Sequence, residues 1–191
     1  MTVALLDEPT ETRTDEALIT ALNRGEVAAF DVLYHRHRDW VVNLAFRFTG
    51  DRDLALDVLQ DTFLYFLKKF PGFQLTCQLR SFFYPAVRNL ALAARRKAER
   101  SQSDGSDLAE LDVAAAVESV APTDAREGLA AVLSGLSEGH REVLLLRFVD
   151  GLSLAEIADA LELPLGTVKA RLHYALDRLR QDERTREFFD P

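Results

Sequence analysis

The sequence predicts an all-α protein of two small helical domains joined by a flexible acidic linker. Apolar residues recur at helical spacing along most of the chain, and Gly and Pro interrupt the pattern only at short breaks. Residues 101–125 carry neither a basic nor an aromatic residue and separate the two halves. The predicted parts are a disordered tail (1–14), an N-terminal domain (15–100), the linker (101–124) and a C-terminal helix-turn-helix domain (125–191).

Composition limits the classes of protein that the chain can belong to. Its 191 residues carry a net charge of −8 and a pI of about 5.0, which argues against indiscriminate nucleic-acid binding. A local basic face still acts on phosphates, because charges interact within a Debye length of about 8–10 Å. One cysteine excludes an internal disulfide and fits a reducing cytoplasm. No signal-peptide pattern or membrane-length apolar run is present, so we expect a cytoplasmic protein without membrane insertion.

Three helices are predicted before the first strong break. They cover residues 15–23, 26–49 and 52–70, with Gly25 and Gly50 ending the first two. His35 and His37 lie in a charged run of the second helix. Residues two apart point away from each other on a helix, so we expect solvated side chains rather than a metal site.

The third helix carries a polar arc beside its buried stripe. Asp57, Gln60, Asp61, Leu64 and Lys68 share this arc at spacings of three and four. Two carboxylates at this spacing are compatible with a metal site or an acid–base pair. No histidine or further acid joins them at helical spacing, so the pattern favours a protein-docking face.

A basic helix with aromatic residues follows the break at residues 71–72. We expect a loop over 73–78 and a helix over 79–99 that kinks or begins at Pro85. Between Arg88 and Arg100 there are five basic residues and one Glu, just after three consecutive aromatic residues. Cations beside exposed rings bind unpaired bases; the alternative is that these rings belong to the core, as at least one must.

The second half begins after the acidic linker, which we expect to form at most a transient helix around residues 108–117. Two further helices are predicted over 126–134 and 137–149. Ser153 and Glu156 then form a capping box at the start of another helix, and Pro164 separates it from the last one. That last helix has four Arg or Lys and one Asp between residues 169 and 180. A short turn before a basic helix is typical of a DNA-binding helix-turn-helix; the alternative is an amphipathic hairpin with a solvated face.

With these motifs in this order, the chain resembles a bacterial extracytoplasmic-function (ECF, group IV) sigma factor. The resemblance covers about residues 21–100 and 125–181. It rests on the motifs DVLQDTF (57–63), RNLA (88–91), HREVLLLR (140–147) and LGTVKARL (165–172). It implies binding to the clamp and flap of RNA polymerase core, promoter-specific initiation, no cofactor and no catalytic residue. It also implies an anti-sigma factor as a partner.

The resemblance assigns three groups of residues. The group that would bind polymerase is Asp57, Gln60, Asp61 and Leu64. The group that would open and read the minus-ten element is Phe73, Gln74, Cys77, Gln78, Arg80, Phe82, Tyr84, Arg88, Asn89, Arg95 and Arg96. The group that would read the minus-thirty-five element in the major groove is Thr167, Lys169, Ala170, Arg171, His173, Tyr174 and Arg178. The loop 73–78 would receive an unstacked minus-ten base.

Four residues depart from the family pattern. Phe82 replaces the usual Trp, and Pro85 replaces a helix-forming residue. In the last helix Ala170 replaces a frequent Ser, and Tyr174 replaces a frequent Arg. Arg can contact guanine through two hydrogen bonds, for about 1–3 kcal/mol of discrimination, and Tyr cannot. We therefore expect an unusual minus-thirty-five sequence or a weaker dependence on it.

Two other functions are compatible with parts of the sequence. One is a helix-turn-helix regulator that never binds polymerase and uses its first domain for dimerisation or sensing. The other is a helical metal-dependent hydrolase that uses Asp57 and Asp61. Alanine substitutions in the polar arc would distinguish the regulator from a sigma factor, because only a sigma factor would lose polymerase binding. A metal titration without a tight site would exclude the hydrolase.

Overall fold

A computed structural model describes residues 12–102, 113–118 and 126–186 of the chain. Its described residues form ten helices and no strand, as predicted for an all-α protein. The helices are α1 (Asp15–Asn23), α2 (Ala28–Thr49), α3 (Arg52–Leu67), α4 (Leu79–Gln102), α5 (Val113–Glu118), α6 (Arg126–Ser134), α7 (Glu138–Phe148), α8 (Leu154–Leu161), α9 (Leu165–Gln181) and α10 (Glu183–Arg186). We call α1–α4 the N-terminal module and α6–α10 the C-terminal module.

Local capping explains where the first helices begin and end. The Thr14 hydroxyl accepts a hydrogen bond from the backbone N–H of Ala17 at 3.3 Å, which starts α1. Gly50 ends α2 in the left-handed conformation at φ 66°. The carboxylate of Asp51 then starts α3 by accepting from the N–H groups of Asp53 and Leu54. Thr14 was predicted to lie in the disordered tail, and its capping role corrects that boundary.

The four helices of the N-terminal module enclose an aromatic core. Phe48, Phe66, Phe83 and Tyr84 are among its largest fully buried side chains. α4 continues through Pro85 instead of beginning there, although proline cannot donate the helical hydrogen bond to residue 81. Burial of one α4 face by α2 and α3 stabilises the helix despite this missing bond.

The predicted linker contributes a packed helix to the fold. Within α5, Ala115, Ala116 and Val117 are buried against the rest of the core, with α2 and α6 as its neighbours. Arg52 and Glu118 add an ion pair of 2.9 Å at the end of α5. The expectation of at most a transient helix here is therefore wrong for residues 113–118. The small apolar residues of α5 need a second surface to form a stable helix, and α2 and α6 supply it.

The two modules contact each other directly, mainly through α4 and α8. Sequence patterns within each domain gave no indication of this packing. The predicted Phe188-Phe189 end and residues 1–11 lie outside the described residues.

Candidate nucleic-acid interface

The turn between α8 and α9 has the geometry of a helix-turn-helix. Ser153 and Glu156 form the predicted capping box, with the Glu156 N–H donating to the Ser153 hydroxyl at 3.2 Å. In return, the Ser153 N–H donates to the Glu156 carboxylate at 2.6 Å. α8 ends because Glu162 adopts the left-handed conformation at φ 53°, and Pro164 is the residue that precedes the first turn of α9. The predicted break between these two helices is therefore confirmed.

The outer face of α9 is open to solvent and mostly basic. Val168 and Ala175 are buried and hold the inner face of α9 against the C-terminal module. The predicted minus-thirty-five residues that are exposed are Lys169, Ala170, His173, Tyr174 and Arg178. Tyr174, 61% exposed, forms ring contacts with His140 and His173. These five side chains are therefore accessible from solvent in this arrangement.

Two predicted members of the same group are less accessible. Thr167 and Arg171 are half-buried. The Arg171 guanidinium lies so close to Gly139 of α7 that a side chain there would meet Nη1 at 2.9 Å. Because Gly139 has no side chain, Arg171 can lie along α7. Arg171 therefore stays at the edge of the outer face of α9.

The predicted base-binding loop over residues 73–78 is held by one side chain from α1. Asn23 Oδ1 accepts from the backbone N–H groups of Gly72 and Phe73 at 2.7 and 3.1 Å. Its amide also donates to the Phe73 carbonyl at 2.8 Å. Sequence reasoning missed Asn23, because its partners lie 49 and 50 positions away and no local pattern indicates them.

The predicted loop residues differ in exposure. Gln74 and Gln78 are exposed, whereas Phe73 and Cys77 are half-buried. Burial, and to a lesser extent the charge of Asp159, raises the pKa of the Cys77 thiol. The thiol is therefore the neutral, weakly nucleophilic form at physiological pH.

Of the three consecutive aromatic residues, Phe83 and Tyr84 belong to the core and Phe82 is half-buried. Phe82 packs between Tyr65, whose ring is nearly parallel to it, and Phe73, at ring distances of 6.1 and 4.9 Å. Of the three rings, Phe82 is thus the most accessible to solvent, and it lies beside the loop.

Tyr84 is buried at the boundary between the modules. It is 2% exposed, and its hydroxyl donates a hydrogen bond to the carboxylate of Glu142 in α7. Burial, followed by the negative charge of Glu142, raises the pKa of Tyr84 well above its usual value of 10.0. In this arrangement Tyr84, a predicted minus-ten residue, is not accessible to DNA.

The other predicted minus-ten residues of α4 fall into two sets. Arg80 and Arg88 contact the C-terminal module, and Arg88 lines a cleft between the modules together with Asn89. Farther along, Arg96 is exposed, and Arg95 pairs with Glu99 at 3.3 Å. The structure thus brings the first set to the module boundary and leaves Arg96 in solvent.

The predicted docking arc on α3 is accessible along its whole length. Its five members, Asp57, Gln60, Asp61, Leu64 and Lys68, are all exposed. Leu56 and Leu67 add further exposed apolar surface on the same helix. An apolar surface with carboxylates along one side is suited to a protein partner with cationic and apolar groups.

A buried ion pair that the sequence did not reveal joins the modules. Arg47 of α2 donates from Nη2 to both carboxylate oxygens of Asp150, at 2.6 and 2.8 Å. Their side chains are 2% and 3% exposed. Arg47 stands between Phe46 and Phe48, and a cation inside an apolar run is the signal that could have indicated a buried partner.

The described residues contain neither a membrane-length apolar helix nor a cluster of metal-ligating side chains. No helix there combines the length and apolarity needed to cross a membrane. In the same part of the chain, no three His, Cys, Asp or Glu side chains are grouped to hold a metal ion.

Two protein-family models match the chain. The model of Sigma-70 region 2 matches residues 33–101, and that of Sigma-70 region 4 matches residues 132–181. The ECF RNA polymerase sigma factor SigL of Mycobacterium tuberculosis is 32% identical over 170 residues, covering 86% of this chain and 94% of SigL.

Two solved structures share the fold. CnrH in complex with the cytosolic domain of CnrY has a TM-score of 0.61 at 23% identity, covering 86% of this chain and 93% of CnrH. The sigma factor RpoE in complex with the anti-sigma factor NepR, from Bartonella quintana, has a TM-score of 0.56 at 21% identity. That match covers 80% of this chain and 94% of RpoE.

Proposed function

This chain belongs to the extracytoplasmic-function branch of the sigma-70 family, and from that premise we propose that it binds the RNA polymerase core and directs transcription initiation from specific promoters. The observation that carries the proposal is the exposed basic face of α9 behind a capped helix-turn-helix, within a chain that matches both sigma-70 regions. The polymerase performs the covalent chemistry, and this chain supplies the choice of promoter.

The docking arc of α3 binds the polymerase clamp in this proposal. Asp57, Gln60 and Asp61 supply polar contacts, and Leu64 supplies an apolar one. All four are exposed, so no rearrangement of the chain is required before docking. The C-terminal module binds the flap.

The outer face of α9 reads the minus-thirty-five element. Lys169 and Arg178 contact phosphates or base edges from opposite sides of the helix, and Ala170 and Tyr174 face the groove between them. Tyr174 cannot make the paired hydrogen bonds to guanine that an Arg makes. The proposal therefore includes a minus-thirty-five sequence that differs from the common one of the family.

The loop 73–78 and the face of α4 open and read the minus-ten element. Half-buried Phe73 and Phe82 can offer ring surface to an unstacked base, with Gln74 and Gln78 as exposed hydrogen-bonding partners. Arg80, Arg88, Arg95 and Arg96 supply cations for the backbone of the melted strand. Asn89 is already exposed, whereas Tyr84 joins this surface only when the C-terminal module has moved away from α4.

The partners follow from the same premise. Besides polymerase and promoter DNA, we propose an anti-sigma factor, as in the complex of RpoE with NepR. The compartment is the cytoplasm, where the polymerase lies, and no cofactor takes part.

Reconstitution with purified bacterial core polymerase tests the proposal. The core is incubated with a library of randomised promoters, with and without this protein, and transcript starts are sequenced. We expect new start sites that share a minus-ten and a minus-thirty-five element. A library that returns the common minus-thirty-five motif of the family at full strength would contradict the role given to Tyr174.

Substitutions in α3 separate this function from that of a regulator that never binds polymerase. Asp57→Ala with Gln60→Ala and Asp61→Ala should abolish core binding and leave duplex binding by α9 intact. The matched control is Asp31→Ala with Asp39→Ala, at exposed positions of α2. Duplex binding by the unmodified chain without any association with core would favour the regulator.

A further inference from the structure

The middle of the outer face of α9 is apolar, although the sides of this face are basic. Ala170 and Tyr174 lie one turn apart on it, and both are exposed. Lys169 and Arg178 lie on either side of them and are exposed as well. One turn farther along, Asp177 ends this line with an exposed carboxylate. The middle of the face therefore offers a methyl group and a phenol ring in place of guanidinium or amide groups.

The residue types on this face limit which base edges it can recognise. Paired hydrogen bonds to adenine require Asn or Gln, and α9 carries neither between residues 165 and 180. Paired hydrogen bonds to guanine require Arg or Lys, which here lie on the sides of the face. The apolar group that a base presents in the major groove is the 5-methyl group of thymine, and small apolar or aromatic side chains contact it. Ala170 and Tyr174 are side chains of these two kinds.

Two histidine rings border Tyr174. The centroid of the His140 ring in α7 lies 6.0 Å from that of Tyr174, with 33° between the ring planes. The His173 centroid lies at the same distance of 6.0 Å, with 63° between the planes. Both distances fall within the range of about 4.5–7 Å that is usual for aromatic pairs. His140 is half-buried, whereas Tyr174 is 61% exposed, so a supported ring remains accessible to a ligand.

The first turn of α7 thus contacts two side chains of α9. Gly139 leaves space for the Arg171 guanidinium, and the next residue, His140, borders the Tyr174 ring. These contacts restrict the orientations that both side chains can adopt before DNA is bound. A side chain that is already ordered loses less conformational entropy on binding. His140 acts on recognition through Tyr174, which makes it a positioning residue.

We propose that Ala170 and Tyr174 recognise the 5-methyl group of thymine in the minus-thirty-five duplex, and that His140 positions the Tyr174 ring for this contact. The inference rests on the proposed function for the identity of the duplex. It adds the base that is preferred opposite Tyr174, and it adds a residue outside α9 that determines specificity. Lys169 and Arg178 supply the cations that hold α9 on the duplex.

Deoxyuridine in place of thymidine is the first test, because the two nucleosides differ by this methyl group alone. Holoenzyme assembled from purified core and the full chain is given promoters that it selects from the randomised library. Each thymine of the minus-thirty-five element is replaced in turn. We expect promoter binding to fall about fourfold at the thymine that faces Tyr174, which corresponds to one CH₂-sized group left in water. Replacement of thymines in the spacer between the two elements should leave binding unchanged.

Substitutions of Tyr174 connect this preference to the ring. Tyr174→Ala should abolish the difference between thymine and uracil at that position, and Tyr174→Phe, which keeps the ring, should retain it. Lys169→Ala is the matched control on the same face. It should weaken binding to both duplexes by the same factor, because a cation attracts the phosphates of either duplex alike.

His140→Ala tests the positioning role. We expect the preference for thymine to fall from about fourfold to about twofold, because the Tyr174 ring loses one of its two ring contacts. His140→Phe supplies another ring and should restore the preference. A mere loss of stability would lower the fraction of active protein equally for both duplexes, so the ratio of the two affinities reports on positioning alone.

The outcomes separate this inference from the proposed function. If the holoenzyme initiates at specific promoters but binds thymine and uracil duplexes equally, methyl recognition is overturned and the proposed function stands. A selected minus-thirty-five element without thymine overturns methyl recognition as well. If the chain does not bind core, the proposed function fails, and the same ratio measured with the full chain on duplexes selected from random DNA decides the inference. A chain that binds neither core nor duplex overturns both, and an unchanged preference in His140→Ala overturns the role of His140.

Discussion

His37 and Asp15 illustrate how single residues join helices that are distant in sequence. His37 is buried on α2 and shares a hydrogen bond of 2.8 Å with the carboxylate of Asp15 at the start of α1. Arg36 donates to the other oxygen of the same carboxylate at 2.6 Å. We expected both histidines of this run to be solvated, which is wrong for His37, because α1 covers that side of α2.

Asp15→Asn should destabilise the protein in a pH-dependent way. Burial raises the pKa of Asp15, but hydrogen bonds and charges from His37 and Arg36 outweigh it, so the pKa lies below its usual 3.8. A lowered pKa stabilises the fold above pH 3.8, and this contribution is lost as the pH falls through the pKa of the folded state. Urea unfolding at pH 7 should show a loss of about 1–3 kcal/mol.

The same measurement should show a smaller difference as the pH is lowered below 3.8, because the unsubstituted carboxyl group becomes protonated once the pH falls through its lowered pKa. Asp39→Asn is the control: its side chain is 82% exposed, and its pair with Arg38 contributes little. A pH-independent loss for Asp15→Asn would contradict the assigned role of the carboxylate.

At the scale of elements, α8 and α9 show how capping positions a DNA-binding surface. The capping box fixes the first turn of α8, and the left-handed Glu162 fixes its last. Leu163 returns to α8 through its N–H, which donates to the Ala158 carbonyl at 3.0 Å. The direction in which α9 leaves the turn therefore depends on short-range bonds of the turn itself.

Ser153→Ala should destabilise the C-terminal module by about 1 kcal/mol, because the N–H of Glu156 loses its acceptor. Ser137→Ala is a matched control, since Ser137 also precedes a helix but its side chain makes no capping hydrogen bond. Thermal unfolding followed by circular dichroism compares the two. Equal losses for both variants would show that the capping box contributes nothing measurable.

At the scale of the whole molecule, α5 connects the two modules along the chain and also packs against a helix of each. Its buried alanines lie against α2 of one module, and α6 of the other packs beside it. Separation of the modules therefore requires α5 to leave either α2 or α6.

Ala116→Asp should displace α5, because Ala116 is fully buried and a carboxylate there would have no partner. Amide hydrogen exchange should accelerate in residues 113–118, with smaller changes inside α3 and α9. Glu118→Ala removes an exposed ion pair and should change exchange far less. Unchanged exchange in Ala116→Asp would show that α5 is not docked in solution.

The sequence alone predicted most of the elements of this protein, because their causes are local. The bounds of α1 and α6 agree with the predicted ones, and the capping box of α8 was predicted residue by residue. The end of α3 at Leu67, three residues before the predicted end, was not predicted. The sequence left open whether α4 kinks or begins at Pro85, and packing against α2 and α3 decides that the helix continues through it.

The sequence by itself determined the helix class, the helix-turn-helix and the family of this chain, since these depend on spacing, capping and motif order. Only the tertiary structure decided which predicted residues are accessible. It left Asp61 and Tyr174 in solvent, and it buried Tyr84 against Glu142 and Arg47 against Asp150. Those pairs join residues separated by 58 and 103 positions. No periodicity along one helix encodes such a contact, because it arises from the packing of one module on the other.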